Sequence, residues 1–244
     1  MIKTTKGYFL SGLLLLFLIW ITSSMFVQND LVIPSFQSVV KAFQKMALEK
    51  TAWMSLANTF VNLVVIIFIC FITALILSVL VISVKPLEVF LSPLFAVLRT
   101  VPIIAVIVVL LMVFGSRRSP SLITGFVLLP LLYEQYLINF KMMQPALIDD
   151  LSLLGASKRQ TLIYVYLPLS KPVIISSFIQ ALGLGLKAMV MAEFIAQPKN
   201  TVGYQIMQSV TTLDTASVFA WTIILIIFVL FGEGIIKKIR IEKW

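Results

Sequence analysis

The sequence has no histidine, a single cysteine at Cys70, and only 12% charged residues in 244. Without imidazole there is no His-based general base, no zinc hydrolase site and no haem ligand, and one thiol supplies neither a dithiol redox pair nor a Cys–His nucleophile. Soluble domains carry roughly 25% charged and about 45–50% apolar residues. The 60% hydrophobic content found here therefore excludes an ordinary soluble enzyme. At roughly 100–200 residues per domain the length permits one or two, but no polar segment is long enough to form a separate water-soluble module. A single membrane domain over residues 1–244, with no cofactor and no metal, is the expectation. No phosphate loop of the form GxxxxGK[ST] occurs either, so this chain lacks the usual nucleotide cradle.

What is present is apolar sequence in long blocks. A spanning helix needs roughly 20 apolar residues, and six segments qualify: 8–27, 56–84, 89–114, 122–138, 173–195 and 216–236. None alternates apolar and polar residues as an outer-membrane barrel strand does. The reading is an all-α integral membrane bundle of about six transmembrane helices. Lys3 and Lys6 precede the first run, which reads as an anchor rather than a cleaved signal because apolar character resumes at Met25–Val27. The formal charge is +9. In a soluble protein that would raise nucleic-acid binding; in a membrane protein it marks cytoplasmic loops. With both termini inside, eleven basic residues lie on the cytoplasmic side and six outside, although Arg117 and Arg118 fall on the outer side. Residues 35–48 form an amphipathic stretch that either lies along the outer interface or packs on the bundle.

Ionisable side chains at membrane depth are costly and must face protein, water or a partner. Arg99, Glu134, Lys187 and Glu193 are such residues. Lys187 and Glu193 are six positions apart and so do not share a helix face. Each lines a translocation path or locks helix packing. Asn58 and Asn62, at i and i+4, contact either a polar solute or a neighbouring helix. Pro102 and Pro130 interrupt the third and fourth runs, and Gly183 and Gly185 permit close helix approach.

The one long polar connection is 141–172. Pro145 suits a first helical position, Leu147, Leu151 and Leu154 share a face with Ile148 beside them, and Asp149 and Asp150 sit where the helix dipole favours carboxylates. Gly155 ends that helix. Ser157 and Gln160 form a capping box that starts a second one, which is expected to stop near Leu167 because Pro168 follows. The apolar stripe either packs beneath the bundle or docks another protein.

Read as Asp149-Asp150-Leu151, three residues, Gly155, nine residues, Val165, one residue, Leu167-Pro168, the segment resembles the EAA loop of ATP-binding-cassette importer permeases. Asp149 stands where that family has Glu, and Asp150 and Leu151 replace its two alanines. Leu31-Val-Ile-Pro-Ser, Leu56-Ala-Asn-Thr-Phe60, Leu98-Arg-Thr-Val-Pro102, Val113-Phe-Gly115 and the stretch from Gly185-Leu-Lys-Ala188 to Ala192-Glu193 are similar to the nitrate, sulfonate, taurine and bicarbonate branch, to which thiamine-precursor permeases also belong. The resemblance implies a type I importer permease fold. It also implies a coupling helix carried by Asp149, Asp150, Leu151, Leu154, Gly155, Ala156, Ser157, Lys158 and Arg159. The implied partners are two copies of a separate ATPase subunit, a second permease copy (as a homodimer), an extracellular solute-binding protein, and the lipid of the cell membrane. The competing class is a secondary transporter or channel that works without an ATPase through Lys187, Glu193 or Arg99. Such proteins are commonly built from internal repeats, and no repeat is visible here.

Overall fold

The computed structural model describes residues 2–143 and 155–241 and is helical almost throughout, with no β-strand among the described residues. α1 spans Ile2–Val27, α2 Phe36–Leu48, α3 Lys50–Ser83, α4 Lys85–Thr100 and α5 Ile103–Lys141. The chain resumes as helix at Lys158–Thr161, widens to a π turn over Leu162–Tyr166 and continues through Leu167–Ala196; this whole rod, 158–196, is α6. α7 (Val202–Thr211) and α8 (Thr215–Ile241) follow.

α3 shows why the bundle forms. Its buried residues, Ala52, Ser55, Thr59, Leu63, Ile67, Cys70, Ala74, Ser78 and Val81, recur every three or four positions and make one stripe along a 34-residue helix. That stripe packs against α5 and α6, where Leu128, Leu132, Tyr136, Phe140, Leu186 and Met189 close the core. Gly185 is needed there: a Cβ on it would stand 3.0 Å from Leu128 Cδ1 and 3.1 Å from Leu63 Cδ1. Gly183 meets nothing comparable. Polar rungs tie α5 to α6, with Asn139 donating to Ser170 at 2.7 Å and Ser177 to the Tyr136 hydroxyl at 3.1 Å.

α1 touches the remainder through aromatic edges, Trp20 stacking on Phe219 at 5.9 Å and Phe17 meeting Phe36 at 5.8 Å. α2 buries Val39, Ala42 and Met46 against Ala220 and Trp221 of α8, so the amphipathic stretch packs on the bundle. Its start is fixed by Ser35, whose hydroxyl accepts from Ser38 N–H at 3.2 Å. Asp30 braces this corner, accepting from the Ser38 hydroxyl at 2.6 Å and from Ser35 N–H at 2.9 Å.

Among the described residues four helices are long and apolar enough to cross a membrane: Lys50–Ser83, Ile103–Lys141, Arg159–Ala196 and Thr215–Ile236. They cover the second, fourth, fifth and sixth expected runs. The apolar part of α1, Ser11–Val27, is shorter. The third run, 89–114, is not one helix. α4 ends at Thr100, Val101 turns extended (φ −65°, ψ 129°), and α5 begins after Pro102. Proline lacks the N–H that would continue the ladder and forces the preceding residue out of the helical region. α5 is itself bent at Gly115, where φ is +73°. Pro130, by contrast, lies within helix.

A second expectation also fails, since the helix starting at Ser157 does not stop near Leu167. The π turn lets Leu167 N–H reach back five residues to the Leu162 carbonyl. This widened turn absorbs the register change that Pro168 imposes, and the helix runs on through Pro172 to Ala196.

Candidate functional site

At the polar connection, Asp149, Asp150, Leu151 and Leu154 lie outside the described residues, as do Pro145, Leu147 and Ile148. The junction that follows them is defined. Gly155 takes φ +81°, a left-handed conformation that side chains resist. Ser157 N–H donates to Gln160 Oε1 at 2.8 Å while Gln160 N–H donates back to Ser157 Oγ at 3.3 Å, a reciprocal cap. Ala156 is half-buried and Arg159 exposed; Lys158 opens the helix. From this cap α6 runs unbroken for 39 residues, roughly 58 Å at 1.5 Å per residue. One rod thus joins the polar junction to Lys187 and Glu193.

Glu193 is 1% exposed and makes no ion pair among the described residues. Thr59 Oγ1 on α3 donates to its carboxylate at 2.9 Å, and Gly203 N–H at the start of α7 donates at 3.1 Å. The same Thr59 oxygen accepts from Val202 N–H at 2.9 Å. The carboxylate therefore sits at the positive end of the α7 dipole and joins three helices. Gly203 has no room for a side chain: a Cβ would stand 2.5 Å from Phe194 N and 2.6 Å from the Val190 carbonyl. Thr59, Gly203 and the Thr201 cap of α7 were not singled out in the sequence. The one local signal is Thr201 two residues ahead of a glycine, which marks a helix start but not its partner.

Arg99 and Glu134 are brought together, Arg99 Nη1 lying 2.6 Å from Glu134 Oε2. A second pair, Glu88 with Lys141, bridges the same two helices further along, and between them Phe95 stacks on Tyr133 with ring centroids 3.9 Å apart. These residues line a groove of about 240 Å³ between α4 and α5. Its four charges cancel. Glu88, Phe95 and Tyr133 were not anticipated, because the pairing crosses the break at Pro102.

Lys187 is placed differently. It lines a cavity of about 690 Å³ between α6 and α8, among Gly183, Leu186, Val190, Met191, Phe194, Thr222, Leu225 and Glu233. Holding a lysine at mid-membrane costs about 2.5–3.5 kcal/mol on insertion scales. Asn58 donates to the Asn200 carbonyl at 2.9 Å and so ties α3 to the α6–α7 loop; Asn62 is exposed.

A bundle of long apolar helices, with one helix extended beyond the core from a reciprocal cap, defines the class: an all-helical membrane protein. The chain belongs to the family of binding-protein-dependent transport system inner membrane components, whose model matches residues 71–240. Over 123 residues, 50% of its length, it is 29% identical to the glycine betaine/proline betaine transport system permease protein ProW of Escherichia coli (strain K12), and to the same degree to that of Salmonella typhimurium. The match covers 34% of those proteins, so the chain spans about a third of the length of the curated relatives it matches. The fold is similar to that of a bacterial ABC transporter involved in the import of the acidic polysaccharide alginate. There the TM-score is 0.64 at 16% identity over 97% of this chain and 98% of that one. The alginate transporter in complex with a pentasaccharide-bound periplasmic protein gives 0.64 at 17% identity, over 97% of this chain and 96% of that one.

Proposed function

We propose that the chain is the membrane-spanning subunit of an ATP-driven importer, a single permease domain over residues 1–244 in the inner membrane with six spans and both termini cytoplasmic. Two copies enclose the path, an ATPase subunit docks on each 149–159 hairpin, and an extracellular binding protein delivers the solute. The observation that carries this reading is the rod 158–196: it starts at the Gly155 turn and the Ser157–Gln160 cap and ends at the Glu193 hub. A push at its cytoplasmic end displaces the helix that holds Lys187. Alternating access then follows from two packings of the bundle, biased by the nucleotide state of the partner.

The solute is small. Resemblance of the sequence favours the nitrate, sulfonate and taurine branch or a thiamine precursor, and the ProW relatives add betaines as a further class. Within the path, Arg99 with Glu134 and Glu193 with Thr59 hold helices in place, Lys187 faces the cavity, and Asn58 and Asn62 lie along α3.

Membranes carrying tagged chain test the reading. Gly155→Val forces a side chain into a left-handed turn, and Asp149→Lys reverses charge on the docking hairpin. Both variants are expected to lose co-purifying ATPase or to uncouple ATP hydrolysis from uptake. Normal ATPase binding and coupling in both would contradict it.

A further inference from the structure

The cavity between α6 and α8 combines an apolar wall with one lysine. Lys187 makes no hydrogen bond or ion pair among the described residues. Nine residues separate it from the end of α6 at Ala196, roughly 14 Å of rise, so it stands deep in the span. Its surroundings are Leu186, Val190, Met191, Phe194, Leu225 and Ile226. The other acidic group of the wall, Glu233, already has an interaction of its own. Glu233 also lies nearer the Gly183 end, because Gly232 approaches Leu182. An unpaired ammonium at this depth requires an anion or water. A second copy meeting this face on an axis through Lys187 would set lysine against lysine and supply no counter-charge.

We infer that the α6–α8 cavity binds an organic anion, its charged head on Lys187 and its apolar body running along Val190, Phe194 and Ile226 toward Thr222, away from Glu233. The volume of about 690 Å³ suits a small molecule. This deepens the permease reading and rests on it for one point, that the occupant is a solute in transit. A neutral solute of the same shape would gain the apolar contacts but leave the lysine without a counter-charge. A cationic one would meet like charge.

The probe is hexanoate, compared with hexan-1-ol and hexylammonium, on purified chain in phosphatidylcholine nanodiscs at pH 7.5. Saturable binding of hexanoate alone is expected, weakened about tenfold or more by Lys187→Met and restored to within about threefold by Lys187→Arg. Restoration by arginine separates lost charge from lost folding. Equal binding to the Lys187→Met variant, or equal binding of hexan-1-ol, would overturn the assignment. A repeat in phosphatidylglycerol nanodiscs, compared with phosphatidylcholine nanodiscs at the same ionic strength, is expected to leave the affinity within about threefold. Loss of hexanoate binding there would give Lys187 to a lipid headgroup and overturn the solute. ATPase co-purification is scored separately. Its failure with the wild-type chain would overturn the permease reading, whereas unchanged hexanoate binding in Lys187→Met membranes that retain ATPase would overturn only this inference.

Discussion

Glu193 shows how a helical bundle accommodates a buried carboxyl group that makes no ion pair among the described residues. Two donors, the Thr59 hydroxyl and the Gly203 N–H, satisfy the carboxyl group, and a buried polar group left unsatisfied costs about 1–3 kcal/mol. Glu193→Ala strands the Thr59 hydroxyl and the Gly203 N–H, so a loss of about 3 kcal/mol is expected, read as a drop in thermal midpoint in detergent. Gly203→Ala is expected to be comparably harmful because the new methyl meets backbone atoms that cannot move aside. Midpoints unchanged in both variants would contradict the hub. Asp30 makes one pH-dependent contribution. The hydroxyl of Ser38 and then the amide of Ser35 hold its carboxyl below the ordinary carboxylate range. A depressed folded value means that its contribution is present above the unfolded value of about 3.9 and is lost as pH falls through the folded one. The wild-type midpoint should therefore approach that of Asp30→Asn below about pH 3.9, with the gap open at pH 6; parallel curves from pH 6 to pH 3 would contradict this.

At the scale of elements, α4 is a short helix between two joints, Val84 (φ −132°, ψ 87°) and the Val101–Pro102 turn. It is held to α5 by Arg99 with Glu134, Glu88 with Lys141, and the Phe95–Tyr133 stack. Arg99→Glu alone places two carboxylates together and should reduce stability by about 1 kcal/mol or more; the swap Arg99→Glu with Glu134→Arg should recover most of it, checked by a double-mutant cycle on thermal midpoints. Additive losses would contradict the pairing. The sequence revealed those features that depend on near neighbours. The Ser157–Gln160 cap was readable because both partners lie three residues apart, and the spans because hydropathy accumulates locally. The interruption at Pro102 was legible in the sequence, but the extended turn at Val101 that splits the third run into two helices was not, because hydropathy does not register a missing N–H. The end expected near Leu167 was misjudged because a π turn lets the ladder step past Pro168. The partners of Glu193 and Arg99 were invisible because Thr59 lies 134 residues and Glu134 35 residues away along the chain.

For the whole molecule, the family match places the chain among importer inner-membrane components, and the proposed role assigns the motor to another chain joined through the rod 158–196. In that proposal the bundle supplies the mobile wall and residues 149–159 receive the force. The account is tested most directly by site-directed cross-linking at that hairpin. Ser157→Thr preserves the cap and serves as control, while Arg159→Cys places a thiol on the exposed face of the helix start. In native membranes treated with a short bifunctional thiol reagent, the account predicts an adduct between Arg159→Cys and an ATP-binding subunit, with a yield that changes when nucleotide is added. No adduct with an ATP-binding subunit, or adducts only with other copies of this chain at a yield indifferent to nucleotide, would contradict it.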